Sequence, residues 1–87
     1  MKRRIIYTKS YAKSYKKLIQ NNPKLITKID NRINIFLSNP IEVDDHPLKG
    51  SLKNFRSFSI TGDIRIKYKI VDEIYEFILI GTHNQVY

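Results

Sequence analysis

The sequence predicts a small α+β domain, on the basis of its length and of two hydrophobic periods. Apolar side chains recur at helical spacing between Lys9 and Leu37, and they alternate with polar ones between Phe55 and Ile80. A chain of 87 residues has room for one modest core, so residues 1–87 are expected to form a single domain. The predicted order is one strand, two helices and a three-stranded antiparallel meander.

The N-terminal half predicts a first strand at Ile5-Ile6-Tyr7, followed by an antiparallel helical hairpin. The stretch Asn21-Asn22-Pro23 ends the first helix, and there Asn22 is expected to cap the second helix while Pro23 occupies its first turn. Both helices are expected to pack an apolar stripe on the sheet. The stripe residues are Tyr11, Tyr15, Leu18 and Ile19, then Leu25, Ile26, Ile29, Ile33, Phe36 and Leu37.

The C-terminal half predicts a loop followed by the meander. The loop covers residues 41–50, and strands are expected over residues 55–60, 64–71 and 74–80, separated by short turns. In the middle strand the apolar residues alternate with Arg65, Lys67 and Lys69. One sheet face is therefore expected to pack on the helices, while the other meets solvent or a ligand.

The charge distribution points to an anionic partner. The sequence contains sixteen Lys and Arg and eight Asp and Glu, which gives a formal net charge of +8. Residues 1–28 contain nine basic residues and no acidic residue. Solvated helix faces explain any single lysine, but the asymmetry as a whole favours nucleic acid or an acidic protein over a membrane. The apolar runs are too short to span a bilayer or to form a signal-peptide core. The absence of cysteine excludes disulfides and fits a reducing cytosol.

The residue types narrow the possible chemistry. With two histidines and no cysteine, a tight metal site is not expected, and no cofactor is implied. Phosphate-binding loops, dinucleotide fingerprints and serine-nucleophile motifs are all missing from the sequence. Metal-independent RNA cleavage remains. It needs a base for the ribose 2′-OH, cations for the phosphate and an acid for the leaving 5′-oxygen.

Candidate residues for that chemistry lie around the predicted sheet. His46 precedes it, His83 follows its last strand, and Asp63 lies in the turn before the middle strand. Each also has an ordinary structural explanation: a surface loop, a chain end, and a favourable turn residue. Basic residues that could hold a phosphate backbone, or simply form a solvated strand face, are Arg56, Arg65, Lys67 and Lys69.

Two segments carry a family resemblance. "HPLKGSLKNFRSFSITGDIRIKYKI" and "FILIGTHNQVY" resemble the RelE/ParE toxin superfamily, in particular the YafQ-like branch of bacterial toxin–antitoxin systems. The resemblance covers nearly the whole chain and is most specific from His46 to Tyr87. The matching positions are His46, Leu48 with Gly50, Phe55-Arg56, Asp63, Arg65 with Tyr68, and Gly81-Thr82-His83.

The resemblance implies a microbial-RNase-like RelE fold and a toxin that cuts mRNA in the ribosomal A site in the cytoplasm. Its implied partners are the ribosome, mRNA and a neutralising antitoxin, bound in a hetero-oligomer and here expected to be acidic. His46 and His83 would be the proton-transfer pair, with Asp63 supporting the cleft. Arg65 and Arg56 would stabilise the transition-state phosphate. Tyr87 corresponds to a terminal aromatic that stacks on or positions a base.

One departure from the family pattern leaves the roles open. Members of this branch often carry a further histidine on the strand before the turn, where this chain has Ser59. Two other functions also fit the same fold. One is a ParE-like toxin that binds DNA gyrase without enzymatic activity, a group that generally lacks the His46 and His83 signals. The other is a passive basic module that binds rRNA.

Overall fold

A computed structural model describes residues 4–87 of the protein, so residues 1–3 of the basic N-terminal stretch lie outside the described part. The strands and helices, numbered along the chain, are β1 (Arg4–Tyr7), α1 (Lys9–Asn21), α2 (Leu25–Ser38), β2 (His46–Pro47), β3 (Arg56–Ser59), β4 (Ile64–Val71), β5 (Ile74–Thr82) and α3 (His83–Val86). Short 3₁₀ turns over Pro40–Val43 and Gly50–Leu52 flank β2.

The sheet is mixed. Residues 4–87 form five strands in the order β1-β5-β4-β3-β2, in which β1 runs parallel to β5 and the other neighbours are antiparallel. The predicted α+β architecture, with a strand, a helical hairpin and a meander, is confirmed. Two short elements were not predicted: β2 lies inside the expected loop, and α3 follows a last strand that runs to Thr82. Elements of two and four residues are too short to show a hydrophobic period.

The helical hairpin follows the predicted bounds, but its connection differs. Asn22 does not cap α2; its backbone N–H donates to Leu18 O at 3.1 Å and so terminates α1. The N-cap of α2 is Lys24, which makes no side-chain capping bond. At the start of α1 the Thr8 side chain accepts a hydrogen bond from Tyr11 N at 3.2 Å.

The core lies between the hairpin and one face of the sheet, as the apolar stripes predicted. Phe36 of α2 is fully buried and stacks on Phe58 of β3, with ring centroids 4.1 Å apart. Its edge also meets Tyr68 of β4 at 4.9 Å. These aromatic contacts tie the second helix to the middle of the meander. Within the described residues, no helix has both the length and the apolar composition needed to cross a membrane.

The two faces of β4 differ as predicted at its first residues. Ile64, Ile66 and Tyr68 are buried on the helix face, whereas Ile70 is 44% exposed because β4 extends past the core there. Arg65 on the opposite face is only 8% exposed. The opposite face, called the open face here, is therefore covered at Arg65 and more accessible at Lys67 and Lys69.

The end of β5 is supported by α1 in place of a strand. β1 pairs with β5 only as far as Phe77, and a register shift between β4 and β5 leaves Ile78 without a cross-strand partner. The Ser10 hydroxyl donates to Ile78 O at 2.7 Å, and the Ser14 hydroxyl accepts from Ile80 N at 3.1 Å. These side-chain bonds satisfy the strand edge and fix the direction in which β5 delivers the C-terminal residues.

Candidate active site

The two histidines meet at one cleft. A depression of about 340 Å³ is lined by His46, His83 and Tyr87, with Leu48 and Leu52 among its apolar neighbours. Other grooves, of about 290 Å³ between β1 and the helical hairpin and about 550 Å³ between α1 and β5, are lined by no histidine. The histidine cleft is therefore the candidate active site because of the side chains that line it, although another groove is larger.

His83 is placed by the local backbone of the tail. Thr82 caps α3 in a capping box, in which Thr82 Oγ1 accepts from Gln85 N at 3.4 Å and Gln85 Oε1 accepts from Thr82 N at 2.8 Å. His83 N also donates to Asp63 O at 3.0 Å. The buried Val86 anchors the helix, so the imidazole is held at the cleft by its own short segment.

Gly81 is required by this capping box. A Cβ built on Gly81 would collide with the Gln85 side-chain amide oxygen, the atom that accepts the Thr82 N–H bond. A side chain at Gly81 would therefore displace Gln85 and open the turn that carries His83. The predicted turn of the chain at Gly81-Thr82 is in fact the junction between β5 and α3.

His46 is placed by contacts that are distant in the sequence. It lies in β2 directly opposite Ser57 of β3. Its Nδ1 is 3.0 Å from Asp44 O. A carbonyl oxygen can only accept, so this contact favours the ring proton on Nδ1 in the neutral imidazole, whereas Arg65 Nη2, 3.3 Å from Nδ1, can only donate and favours the other tautomer. The contact with Asp44 O is the shorter one, and Arg65 Nη2 already donates to Asp44 O and Ser57 O, so we assign the proton to Nδ1. Nε2 is then the acceptor, and the Tyr87 hydroxyl donates to it at 2.8 Å.

The network continues from Tyr87 to Arg65. The Ser57 hydroxyl is 3.0 Å from the Tyr87 hydroxyl, and Ser57 Oγ accepts from Arg65 Nε at 2.9 Å. Hydroxyl groups can reverse the direction in which they donate. When Nε2 of His46 gains a proton it can donate to Tyr87, which then donates to Ser57. The arrangement can thus take up and return a proton at Nε2 without losing its hydrogen bonds.

Arg65 is held inside this network. Its side chain is 9% exposed and forms an ion pair with the Asp44 carboxylate at 3.3 Å. Arg65 Nη2 also donates to Asp44 O at 2.9 Å and to Ser57 O at 3.3 Å, and it lies 3.3 Å from His46 Nδ1. Its positive charge is therefore fixed next to His46. Asp44 itself has a left-handed backbone with φ of 55°, which an aspartate tolerates.

The other predicted site residues are spread around the cleft. Asp63 is exposed and binds the tail through its backbone oxygen. Lys67 and Lys69 lie on the open face, where Lys67 Nζ is 5.4 Å from the centre of the Phe55 ring. Arg56 is not brought to this face; it is paired with Asp45. Among the described residues, no group of three or more His, Cys, Asp or Glu could hold a metal ion.

The sequence reasoning missed two members of the network, Ser57 and Asp44. Ser57 is fully buried and connects Tyr87 to Arg65, whereas Asp44 provides both a carbonyl and a carboxylate. The sequence does not show that Ser57 lies on the same sheet face as Lys67 and Lys69, because this depends on how β3 pairs with β4. The sequence signal for Asp44 was its closeness to His46.

Solved structures of bacterial toxins share this architecture. A mutant of YafQ from E. coli has a TM-score of 0.78 and 30% identity, with 98% of each chain covered. The crystal structure of the E. coli DinJ-YafQ toxin-antitoxin complex has a TM-score of 0.77 and 31% identity, with 100% of this chain and 99% of that chain covered. The fold thus places the chain among small bacterial toxins.

The family follows from the sequence. A family model described as a bacterial toxin of type II toxin–antitoxin system, YafQ, matches residues 3–87, and the chain belongs to the YafQ toxin family. A curated relative, the mRNA interferase toxin YafQ of Escherichia coli strain K12, is 31% identical over 91 residues, which cover 100% of this chain and 98% of the relative. The predicted membership of the YafQ-like branch is confirmed, and the predicted endoribonuclease agrees with this relative.

Proposed function

We propose that this toxin is a ribosome-dependent endonuclease that cuts mRNA without a metal ion. The observation that carries the proposal is the meeting of His46 and His83 at one cleft, where Tyr87 contacts both rings. The curated relatives named mRNA interferase toxins support the choice of mRNA as substrate. The basic surface of α1 suits docking on ribosomal RNA.

The reaction uses the two imidazoles in opposite roles. Neutral His46 removes the proton of the ribose 2′-OH at Nε2, where the ribose hydroxyl takes the place of the Tyr87 hydroxyl. The 2′-oxygen attacks the adjacent phosphorus, and the bond from phosphorus to the 5′-oxygen breaks. Protonated His83 gives its proton to the departing 5′-oxygen. The products are a 2′,3′-cyclic phosphate and a free 5′-OH.

Electrostatic support comes from the surrounding basic residues. Arg65 supplies a fixed positive charge beside His46, and preorganised charge of this kind stabilises the crowded phosphate in the transition state. Lys67 and Lys69 hold the RNA backbone along the open face. Tyr87 offers its ring to a neighbouring base, while Asp63 supports the turn that fixes His83.

An acidic antitoxin is the expected partner, in a hetero-oligomer that keeps the toxin inactive in the cytoplasm. The family is defined by type II toxin–antitoxin systems, and the E. coli relative was crystallised with DinJ as a toxin–antitoxin complex. The formal net charge of +8 provides the complementary surface. Copurification of the untagged chain with the product of an adjacent open reading frame tests this pairing, and the lack of any stable complex would contradict it.

The activity is tested by mapping mRNA ends by primer extension in cells that express the chain. The proposal expects discrete cuts within codons, and none with the His83→Gln variant. Purified toxin should cut the same mRNA when it is loaded on ribosomes and leave the free transcript intact. Intact mRNA together with blocked replication would instead indicate a toxin that binds gyrase. Ribosome binding without any cut would indicate a passive rRNA-binding module.

A further inference from the structure

Two consecutive aspartates precede His46, and each is held by an arginine. Asp44 is paired with Arg65, as described for the cleft. Asp45 is paired with Arg56, whose Nη2 donates to Asp45 Oδ2 at 2.8 Å. The segment that carries His46 is therefore fixed to the sheet by two separate ion pairs.

The pair around Asp45 is closed by a third residue. The Tyr68 hydroxyl donates to Asp45 Oδ1, and Arg56 Nε donates to the Tyr68 hydroxyl at 3.1 Å. The Asp45 side chain is 10% exposed, and Tyr68 is 1% exposed. Each carboxylate oxygen of Asp45 has its own donor, so the carboxylate is both buried and fully paired.

The strand register places Arg56 on the face opposite the cleft. Pro47 pairs with Arg56, and Arg56 pairs with Tyr68, whereas His46 pairs with Ser57. Side chains of directly paired residues lie on the same side of a sheet, and successive side chains alternate. Arg56 thus shares the helix face with Tyr68, and His46 shares the open face with Ser57. The sheet itself separates the Arg56 guanidinium from the histidine cleft.

The two donors of the cluster, Tyr68 and Arg56, both hold their protons more tightly than usual. The pKa of Tyr68 is raised, first by burial and then by the hydrogen bond to Asp45, so the hydroxyl keeps the proton it donates. The pKa of Arg56 is raised, chiefly by its hydrogen bond to Asp45, so the guanidinium stays charged. Both donors to the carboxylate therefore remain protonated at neutral pH.

We propose that Asp45, Arg56 and Tyr68 form a positioning cluster for His46, and that Arg56 acts through Asp45 and does not bind RNA. This inference rests on the proposed RNA cleavage. β2 is a two-residue strand with only two pairing positions, so its own ladder provides few hydrogen bonds to hold the segment that carries His46. Asp45 directly precedes His46, and a displacement of about 1 Å at a catalytic group can cost roughly 100-fold in rate.

The kinetic test is a double-mutant cycle of Asp45→Asn, Arg56→Gln and their combination, in single-turnover cleavage of ribosome-bound mRNA. Each single variant is expected to slow cleavage about tenfold, with ribosome and mRNA affinity unchanged, because a shifted His46 affects the chemical step. The double variant is expected to lose no more than either single variant. Additive losses would show that Arg56 does not act through Asp45, and weaker RNA binding with Arg56→Gln would show that Arg56 contacts RNA. Either result would overturn the proposal.

A second readout does not depend on cleavage. Histidine-selective ¹⁵N NMR of the wild-type protein is expected to show His46 protonated at Nδ1 in its neutral form, as the shorter of its two Nδ1 contacts, the one with Asp44 O, favours. In Arg56→Gln the His46 signals should report mixed tautomers, while those of His83 stay unchanged. Unchanged His46 signals would reject the positioning role even in a toxin with no RNase activity. Shifted signals without any cleavage by the wild-type protein would instead reject only the proposed function.

Tyr68→Phe is the mildest variant, and it serves if the substitutions that remove the charges of Asp45 and Arg56 destabilise the fold. It keeps the buried ring and removes only the hydroxyl that donates to Asp45. A three- to tenfold slower chemical step and a His46 shift are expected. Tyr11→Phe is the matched control, since Tyr11 is a buried tyrosine on α1, and it should change neither readout. Equal effects of the two substitutions would reduce the cluster to ordinary core packing.

Discussion

The segment of residues 44–47 and the C-terminal tail each deliver a histidine to the cleft, but they do so by different means. His83 is held by a capping box within four residues and by one backbone bond to Asp63. The other segment is held by hydrogen bonds with Arg65 and Tyr87, and the Ser57 hydroxyl links these two side chains. One histidine is thus positioned by local backbone geometry and the other by tertiary side-chain contacts.

The difference predicts which substitutions each segment tolerates. The tail depends on backbone requirements, namely a glycine at the strand end and a capping residue, and on few side chains. The His46 segment depends on a connected network, in which the loss of one member leaves buried polar groups without partners. Tyr87 joins the two, because its backbone belongs to the tail and its hydroxyl bonds to His46.

The largest effect is expected from the histidines themselves. His83→Gln keeps a similar size but cannot transfer a proton, so cleavage should fall by about 10²–10⁴-fold, the usual contribution of a general acid or base. The variant should fold, bind antitoxin and ribosome, and no longer arrest growth. Single-turnover cleavage and antitoxin binding measure the two properties separately. Cleavage at the parental rate would remove His83 from the mechanism, and His46→Gln tests the other segment in the same way.

The next largest effect is expected from Arg65→Ala. This change removes the charge beside His46 and the donors to Ser57 and Asp44, so we expect the chemical step to slow about 100-fold, as for other electrostatic groups. Ribosome binding should change much less, because the side chain is only 9% exposed. Equal losses in binding and in rate would make Arg65 a docking residue. In ¹⁵N NMR the His46 signals should shift while those of His83 stay in place.

Gly81→Ala should affect His83 and leave His46 in place, the reverse of the pattern expected for Arg65→Ala. The new methyl group displaces Gln85 and opens the capping box, so the loss in stability should be about 1 kcal/mol, typical of a lost helix cap. Cleavage should slow through His83, with unchanged His46 signals. Gly62→Ala is the control, because a Cβ at Gly62 meets nothing within 4 Å. If both substitutions behave alike in thermal unfolding and cleavage, the tail does not depend on the box.

The smallest effect is expected from Tyr87→Phe, which keeps the ring at the cleft and removes the hydroxyl that joins the two segments. The ribose hydroxyl replaces the bond to His46 during the reaction, so the bond whose loss affects the rate is the one to the Ser57 hydroxyl. A single net hydrogen bond is worth about 1 kcal/mol, or roughly fivefold in rate. We expect a loss of this size in single-turnover cleavage, with a shift of the His46 signals. A much larger loss would show that the hydroxyl takes part in proton transfer, and no loss would leave Tyr87 with only its ring contacts.

Most of the fold could be predicted from the sequence because its elements are long enough to show a period. α1 begins and ends at the predicted residues, and β4 covers the predicted range. The prediction failed where one residue could serve either of two adjacent helices, as at Asn22, which ends α1 and does not cap α2. β2 was missed since a strand of two residues has no period and exists only through its pairing with β3.

The residue types of the cleft were fixed by the sequence alone. The sequence contains two histidines, no cysteine and an excess of basic residues, which limits the possible chemistry, and the ordered motif from His46 to His83 indicates the family. Proton transfer and phosphate binding depend on which functional groups a chain contains, and composition reports these directly.

Tertiary structure decided which side chain faces which group. Arg56 and Arg65 are both strand arginines in a basic stretch, and the parity of Arg56 with Phe58 and Ile60 left its facing open in the sequence. In the structure Arg56 lies on the helix face with Asp45, and Arg65 lies beside His46. Their positions depend on strand register, and a shift of one residue would exchange the faces. Register is set by the packing of Phe58 and Tyr68 against α2, a long-range contact that no local pattern records.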